Sequence, residues 1–413
     1  MGSHDEPSYA SRMTDKLNII VLFGGPTTEH EVTVVTAHEV MKALDPARFT
    51  SLPVYWAPDG NFYTGAAVMD RAAYPFSPDM QRQLKSASFT AFERTDDGRA
   101  VLRVGTDGLF SRAERFIIDA AIPVAHGTMV EDGNLQGFLT VLGIPFTGSA
   151  TMASGVFMNK MATKKLLSAH GVPVLPATLV ARPASGFADY QQLAASVEKP
   201  GPYPLIVKPN FLGSSVGVTR ATNEAELAAG IALVFKFDTA AIIEPCVEPL
   251  VEYNVSVSRA WGDGVRLSAI ERPTRKGDVL DFKTKYIGGG KKAGAKKIGA
   301  GMRFAGRELN PTELTNAQRH IITTSAHTAM TAVDGAGGAP RIDFICNGST
   351  GEIWLNEVNP CPGDFASFLW EYAEQPQTFT ELLNGLVDEA LARRKSGARL
   401  TDPAQAGATI FRR

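Results

Sequence analysis

The stretch Asn18-Ile-Ile-Val-Leu-Phe runs directly into Gly24-Gly25, and this junction limits the possible folds more than any other feature of the chain. The apolar run from Leu17 to Phe23 is too short to cross a bilayer, so it reads as a buried strand. Beyond it, Val32, Val35, Val40, Met41 and Leu44 recur at helical spacing, which predicts a helix from Glu31 through Leu44. A strand that hands over to a helix across a glycine turn opens an α/β domain. Ligands of open α/β sheets gather at that carboxyl end, where this chain carries Glu29-His30-Glu31.

A second pattern lies near the other end. Arg341-Ile-Asp343 alternates with apolar residues as a strand, and Glu352-Ile-Trp-Leu-Asn-Glu-Val-Asn359 reads as another. The turn Asn347 to Gly351 joins them into a predicted hairpin. Asp343, Glu357 and Asn359 then converge as oxygen donors, the chemistry that Mg²⁺ takes, usually shared with phosphate oxygens.

A length of 413 residues suits two or three domains. Met1-Gly-Ser-His looks like an added tag and Met13 like a native start, so residues 1–16 are set aside as a disordered leader. A formal net charge of -2 makes no case for nucleic acid as a partner, and no signal peptide or membrane-spanning segment is evident. Three cysteines, Cys246, Cys346 and Cys361, lack metal-ligand spacing and fit a reducing, cytoplasmic location.

Between the two patterns, Phe116 to His126 reads as one strand, Gln136 to Leu142 as a helix and Ile144 to Phe146 as a short strand. A first domain should close at residue 148. Thr151 to Ala169 reads as one helix carrying Asn159-Lys160 and Lys164-Lys165. Strands are expected at 172–174, 178–180, Leu205 to Pro209, Ala240 to Pro245 and Tyr253 to Ala260, the last pairing with Leu267 to Glu271. Helices are expected over Glu224 to Phe235, Thr312 to Ala332 and Gln377 to Arg394, and residues 396–413 read as a tail. Residues 283–311, rich in Gly and Lys, read as a mobile loop.

Gly213-Ser214-Ser215-Val216-Gly217 follows the strand ending near Lys208. Small residues admit phosphate oxygens to backbone N–H groups, and hydroxyls add donors, although the loop is not a Walker A motif. Lys160, Lys208 and Lys285 sit in apolar or glycine-flanked contexts, where a polyphosphate would be a partner. Glu244 ends an apolar strand, and Glu252, eight residues on, suits ribose hydroxyls.

Taken in order, these segments resemble the D-alanine–D-alanine ligase family of ATP-grasp enzymes. The matching pieces are Gly24-Gly25 with Glu29-His-Glu31, His126-Gly with Glu131-Asp-Gly-Asn-Leu-Gln-Gly137, Met158-Asn-Lys160, Lys208-Pro-Asn with Gly213-Ser-Ser-Val-Gly, Lys285-Tyr286, Arg341-Ile-Asp343, and Asn356-Glu-Val-Asn359 with Pro362-Gly363. The resemblance covers about residues 17 to 395. It implies a fold of α/β and α+β parts. An N-terminal parallel α/β substrate domain (17–148) precedes a central ATP-grasp lobe (149–240) and a C-terminal grasp lobe (241–395) with a lid at 283–311. It implies ATP between the lobes, with Lys160, Lys208, Lys285, Ser214 and Ser215 at the phosphates, Glu244 and Val247 at adenine, and Glu252 at ribose, with Asn356 beside them. Asp343, Glu357 and Asn359 would hold two Mg²⁺ ions. The implied reaction phosphorylates a carboxylate to an acyl phosphate, which an amine then attacks. Arg341 and the N–H of Gly363 would stabilise the oxyanion, Glu29 would hold the first substrate's ammonium, and Ser214 and Tyr286 would close the lid with it. A homodimer is implied by the family alone.

The pattern breaks after Pro362-Gly363. The family continues with Thr and then a Ser that binds the carboxylate of the second D-alanine. Here Phe368 holds that Ser position, Ser367 is adjacent, and Asp364 adds a negative charge that disfavours an anion. Pro360 replaces a family Thr, Val130 a family Gly, and the loop at 283–311 is strongly basic (Lys291, Lys292, Lys296, Lys297, Arg303, Arg307). The expectation is an ATP-dependent carboxylate–amine ligase acting on small amino-acid or amine substrates, with an acceptor that is not D-alanine. The alternatives are a D-alanine–D-alanine ligase of cell-wall synthesis and, in another class, a non-catalytic ATP-binding regulator. The sequence names neither the acceptor nor the pathway.

Overall fold

The computed structural model describes residues 16–27, 29–71, 74–87, 89–108, 111–184, 189–213, 216–273 and 306–396. Its first strand, β1 (Leu17–Gly24), is buried along nearly its whole length. Ile19, Val21 and Phe23 face helix α1 (His30–Ala43) through Val34, Ala37 and Val40. Ile20 and Leu22 face the opposite side, toward Leu135 and Leu139 of a short helix at Asn134–Val141. A strand covered on both faces needs apolar residues at every position, which explains the unbroken run.

β1 pairs in parallel with β2 (Phe49–Trp56) and with a strand at Ala120–Val124. Strands at Phe62–Tyr63, Phe89–Arg94, Ala100–Val104 and Glu114–Ile117 extend the sheet antiparallel. The parallel core of this region is therefore confined to the strands beside β1. The single strand expected over Phe116 to His126 is two strands. Asp119 leaves the ladder to accept a hydrogen bond from the Asn18 N–H at 2.8 Å, and the chain passes from one end of the sheet order to the other. Ile144 to Phe146 contributes one isolated bridge, Ala121 to Phe146.

The expected helix over Thr151 to Ala169 is also two, Thr151–Met158 and Lys160–Ala169. Asn159 breaks it with an extended backbone, its side chain accepting from the Ala162 N–H at 2.9 Å. An Asn oxygen competes with the helical ladder and favours the N-cap. A four-stranded antiparallel sheet follows, in the order Thr219–Ala221, Leu205–Pro209, Ala240–Pro245, Thr178–Ala181, with helix Glu224–Val234 against it.

The last sheet carries the predicted hairpin. Leu250–Ser258 pairs with Arg341–Asn347, which pairs with Ile353–Asn359. The partner expected over Leu267 to Glu271 splits into Arg266–Leu267 and Glu271–Pro273. Arg307–Leu309 adds an edge strand on Glu271–Pro273. Residues 307–309 of the expected mobile loop are therefore sheet; 274–305 lie outside the described residues. Helix Asn316–Ala332 starts four residues later than expected because Thr315 and Gln318 form a capping box. It covers the apolar face of the sheet through Ile322, Ala326, Ala329 and Met330, against Tyr253, Val255, Ile342, Phe344 and Leu355. The final helix, Phe379–Ser396, returns to the N-terminal sheet, where Leu382, Leu383, Leu386 and Val387 join the core of β1. Each fully buried aliphatic side chain of this kind contributes about 1.5–3 kcal/mol.

Candidate active site

The hairpin's other face is polar. Direct partners in an antiparallel ladder share a face, so the register sets Asn254, Asp343 and Glu357 in one row and Arg341 opposite Asn359 in the next. The register slips at Asp343, which pairs with Glu357, while Phe344 pairs with Leu355. Asn356 is the extra residue. A bulge of this sort re-aims side chains, and here both Asn356 and Glu357 escape the apolar side that Leu355 and Val358 fill. Glu252 lies on the same ladder, opposite Ile345.

Arg341 grips Asp343 with two hydrogen bonds, Nε to Oδ1 at 2.7 Å and Nη2 to Oδ2 at 2.8 Å. Asn359 Nδ2 donates to Asp343 Oδ2 at 3.0 Å. Burial works against the Arg341 charge, but Asp343, Glu271 and Glu357 outweigh it and hold the guanidinium above its ordinary range. Donors suited to a hard cation here are the carboxylates of Asp343 and Glu357 and the amide oxygen of Asn359. Among the described residues no cluster of three or more His, Cys, Asp or Glu side chains forms a ready-made metal cage. The donor set fits an ion that completes its shell with phosphate or water oxygens.

Lysines face this row. The break at Asn159 makes Lys160 the first residue of a new helix, and its Nζ lies 2.6 Å from the Leu212 carbonyl and 3.2 Å from Glu357 Oε2. Lys208 Nζ donates to Asn356 Oδ1 at 2.8 Å and pairs with Glu244 Oε2 at 2.7 Å. Lys164 Nζ takes the other Glu244 oxygen at 2.6 Å. Burial pushes Glu244 up, yet Lys208 and Lys164 prevail and hold it below the usual carboxylate range. Lys164 joins the site without having been expected there. Its spacing four residues after Lys160, on the same helix face, was the available signal. The Glu244 carboxylate points into this lysine pair, and Val247 is half-buried in the link beyond its strand. Ser214, Ser215, Lys285 and Tyr286 lie outside the described residues.

The N-terminal sheet supplies the opposite wall. Glu29 occupies the N-cap position of α1 and is 6% exposed. Gly24 turns the chain at φ +92, and any Cβ there would sit 2.3 Å from the Trp56 carbonyl, so this turn requires glycine. His126 lies just past its strand, with Nδ1 3.0 Å from the Cys361 carbonyl. A carbonyl only accepts, so Nδ1 carries the proton and Nε2 a lone pair. Burial pushes this imidazole down to about 4 against the pull of that hydrogen bond. Glu131 Oε2 accepts from the Gly127 N–H at 2.6 Å and Oε1 from the Cys361 N–H at 3.3 Å. Burial, with Glu29 and Glu357 adding to it, pushes its carboxyl up to about 8 despite those two donors. His126 and Glu131 thus clasp the loop that ends in Gly363. A Cβ on Gly363 would face His126 Nε2 at 3.9 Å. Both residues lie in the motif His126-Gly with Glu131-Asp-Gly, which by itself gives neither a task.

After Gly363 the chain reverses through Phe365 (φ 55) and Ala366 (φ 50), both left-handed, into a single turn at Ser367–Trp370. Ser367 is fully buried and Phe368 is 7% exposed. Asp364 is half-buried ahead of them. A cleft of about 340 Å³ on the N-terminal sheet, lined by Leu52, Met69, Val104 and Phe116 among others, includes none of the residues above.

Two family models match the chain in order: the D-ala D-ala ligase N-terminus over residues 18–149 and the D-ala D-ala ligase C-terminus over residues 166–388. A D-alanine--D-alanine ligase of Deinococcus radiodurans is 32% identical over 385 residues, 92% of this chain and 100% of that protein. The solved D-alanine-D-alanine ligase from Coxiella burnetii matches with a TM-score of 0.69 at 24% identity, covering 92% of this chain and 96% of that one. The VanG D-Ala:D-Ser ligase from Enterococcus faecalis matches at 0.66 and 24% identity, covering 91% and 99%. These structural likenesses establish a shared fold. With both models spanning most of its length, the chain belongs to the D-alanine–D-alanine ligase family of ATP-dependent ligases that form carbon–nitrogen bonds.

Proposed function

We propose that this enzyme activates D-alanine as an acyl phosphate at the expense of ATP and transfers it to an amine acceptor other than a second D-alanine. The observation that carries the ligase part is the bulged hairpin, where Arg341, Asp343, Glu357 and Asn359 share one face with Lys160 and Lys208 against it. In this reading Lys160 and Lys208 receive phosphate oxygens, joined by Lys285 and the Ser214-Ser215 loop. Glu244 and Val247 border the adenine, and Glu252 the ribose. Asp343, Glu357 and Asn359 would hold Mg²⁺, which when bound supplies charge neutralisation at the phosphates. Arg341 and the Gly363 N–H face the oxyanion, and Glu29 holds the ammonium of the first substrate. The clasp by His126 and Glu131 sets where the Gly363 donor points, a preorganisation that costs nothing during the reaction. Ser214 and Tyr286 close the site with Glu29 and keep water from the acyl phosphate.

The acceptor part rests on Asp364, Ser367 and Phe368. Phe368 stands where the family's carboxylate-binding Ser is expected, and full burial of Ser367 keeps that hydroxyl from replacing it. A solved fold relative named as a D-Ala:D-Ser ligase supports the view that this architecture serves acceptors besides D-alanine. The test is mass spectrometry of products from ATP, Mg²⁺, D-alanine and a panel of amines. A mixed amide is expected. Abundant D-alanyl-D-alanine in place of it refutes the altered acceptor and favours the second reading, a dipeptide ligase like the named relatives. ADP release that no amino acid or amine stimulates refutes both.

A further inference from the structure

The strand Arg307–Leu309 brings one residue of the basic loop to the acceptor end of the site. The Arg307 guanidinium lies over the Phe368 ring, 4.3 Å from its centroid. Its Nη1 is 3.4 Å from Glu271 Oε1, and Glu271 is held in turn by Asn254 Nδ2 at 3.1 Å. Asn254 is the direct partner of Asp343 and, on its other side, of Glu271. Arg307 pairs with Pro273 on the ladder, two residues along from the row that carries Asp343 and Glu357, and reaches that row through its side-chain ion pair with Glu271. The turn at Ser367–Trp370 is tied to this sheet by the Ala269 N–H donating to the Leu369 carbonyl at 3.1 Å. Phe368 and Arg307 are thus fixed to one another by backbone as well as by stacking.

We propose that Arg307 selects the acceptor by its carboxylate, receiving it at the guanidinium above Phe368 in partial exchange for Glu271. This inference rests on the ligase reading above and names the acceptor class within it: an amino acid rather than a simple amine. The physical reason is charge. Asp364 alone would repel an anion, and Phe368 offers it no donor. A stacked guanidinium restores a planar set of donors that matches a carboxylate. Glu271 holds Arg307 in position before the acceptor arrives, and the Phe368 face holds the fork flat. Arg307 binds substrate and takes no part in the chemical step.

The experiment compares wild type with Arg307→Ala and Arg307→Lys, each checked by thermal melting. D-alanine is the first substrate. D-Serine, D-alanine and β-alanine are offered as acceptors beside their carboxamides. Wild type should favour carboxylates. Arg307→Ala should raise the acceptor KM about 10–100-fold, the loss of a charge-assisted pair, with KM for ATP and kcat nearly unchanged. Arg307→Lys should fall between, and the carboxamides should not distinguish the three proteins. An acceptor KM within twofold of wild type in Arg307→Ala, or carboxamides used as well as carboxylates by wild type, overturns this inference and leaves the ligase reading intact. Wild type that joins no acceptor at all overturns both.

Discussion

Glu244 Oε2 and Lys208 Nζ are 2.7 Å apart in the interior, on neighbouring antiparallel strands, and Lys164 approaches the same carboxylate from a helix at 2.6 Å. One buried anion thus holds two cations together beneath the bulged hairpin. That carboxylate offsets their mutual repulsion.

Glu244→Gln removes the anion and leaves two lysines facing each other without it. Breaking a buried charge pair by removing one partner costs about 3–5 kcal/mol. Urea unfolding should show a loss of that order, together with a raised KM for ATP as Lys208 drifts from Asn356. A change below about 1 kcal/mol would contradict the role assigned to the pair.

Glu357→Gln keeps the shape and a hydrogen-bonding oxygen near Lys160, but loses the charge. Turnover should fall roughly 100-fold or more, as for loss of one preorganised electrostatic group, while the far-UV spectrum and melting temperature stay close to wild type. Near-normal turnover would refute the assignment of this residue to the cation.

Glu131 makes stability depend on pH in a predictable sense. Its carboxyl titrates near its ordinary 4.5 when unfolded and is pushed up to about 8 by burial in the fold. Between those values the folded protein holds a proton that the unfolded chain has released. This contribution is fully present below the unfolded value and is lost as pH rises through 8, with a slope of at most about 1.4 kcal/mol per pH unit. Urea midpoints for wild type and Glu131→Gln, compared from pH 5 to 8, should show the decline in wild type and a flatter profile in the variant.

Asn159→Ala deletes the cap that ends one helix and starts the next. The loss is expected at about 0.5–2 kcal/mol by denaturant unfolding. Because Lys160 is the first residue after this cap, KM for ATP should rise more than KM for the amino acid. Equal effects on the two would show that the break serves stability alone.

The first strand and the late hairpin were legible for a simple reason: the runs Asn18 to Phe23 and Arg341 to Asn359 carry their periodicity locally. Asn159 was not legible in this way, because one Asn inside an apolar-periodic segment costs little on propensity scales. Asn210, from a distant strand end, makes the break there: its side chain donates to Asn159 Oδ1 and accepts from the Met161 N–H, each at 3.0 Å, while Asn159 caps the Ala162 N–H. Likewise, Phe116 to His126 looked like one strand because nothing local signals that Asp119 will bond to Asn18, 101 residues away.

The sequence alone was enough for the family and for the hairpin that sets Asp343, Glu357 and Asn359 on one face, since each is an ordered local pattern. Tertiary structure decided which charges neutralise which. Lys164 gained a role because Glu244 arrives from another strand, and Glu131 because Cys361 arrives 230 residues later to offer its N–H. Arg307 left the loop because an edge strand delivers it onto Phe368. Charge pairing and burial depend on distances in space, and no residue's position along the chain encodes them by itself.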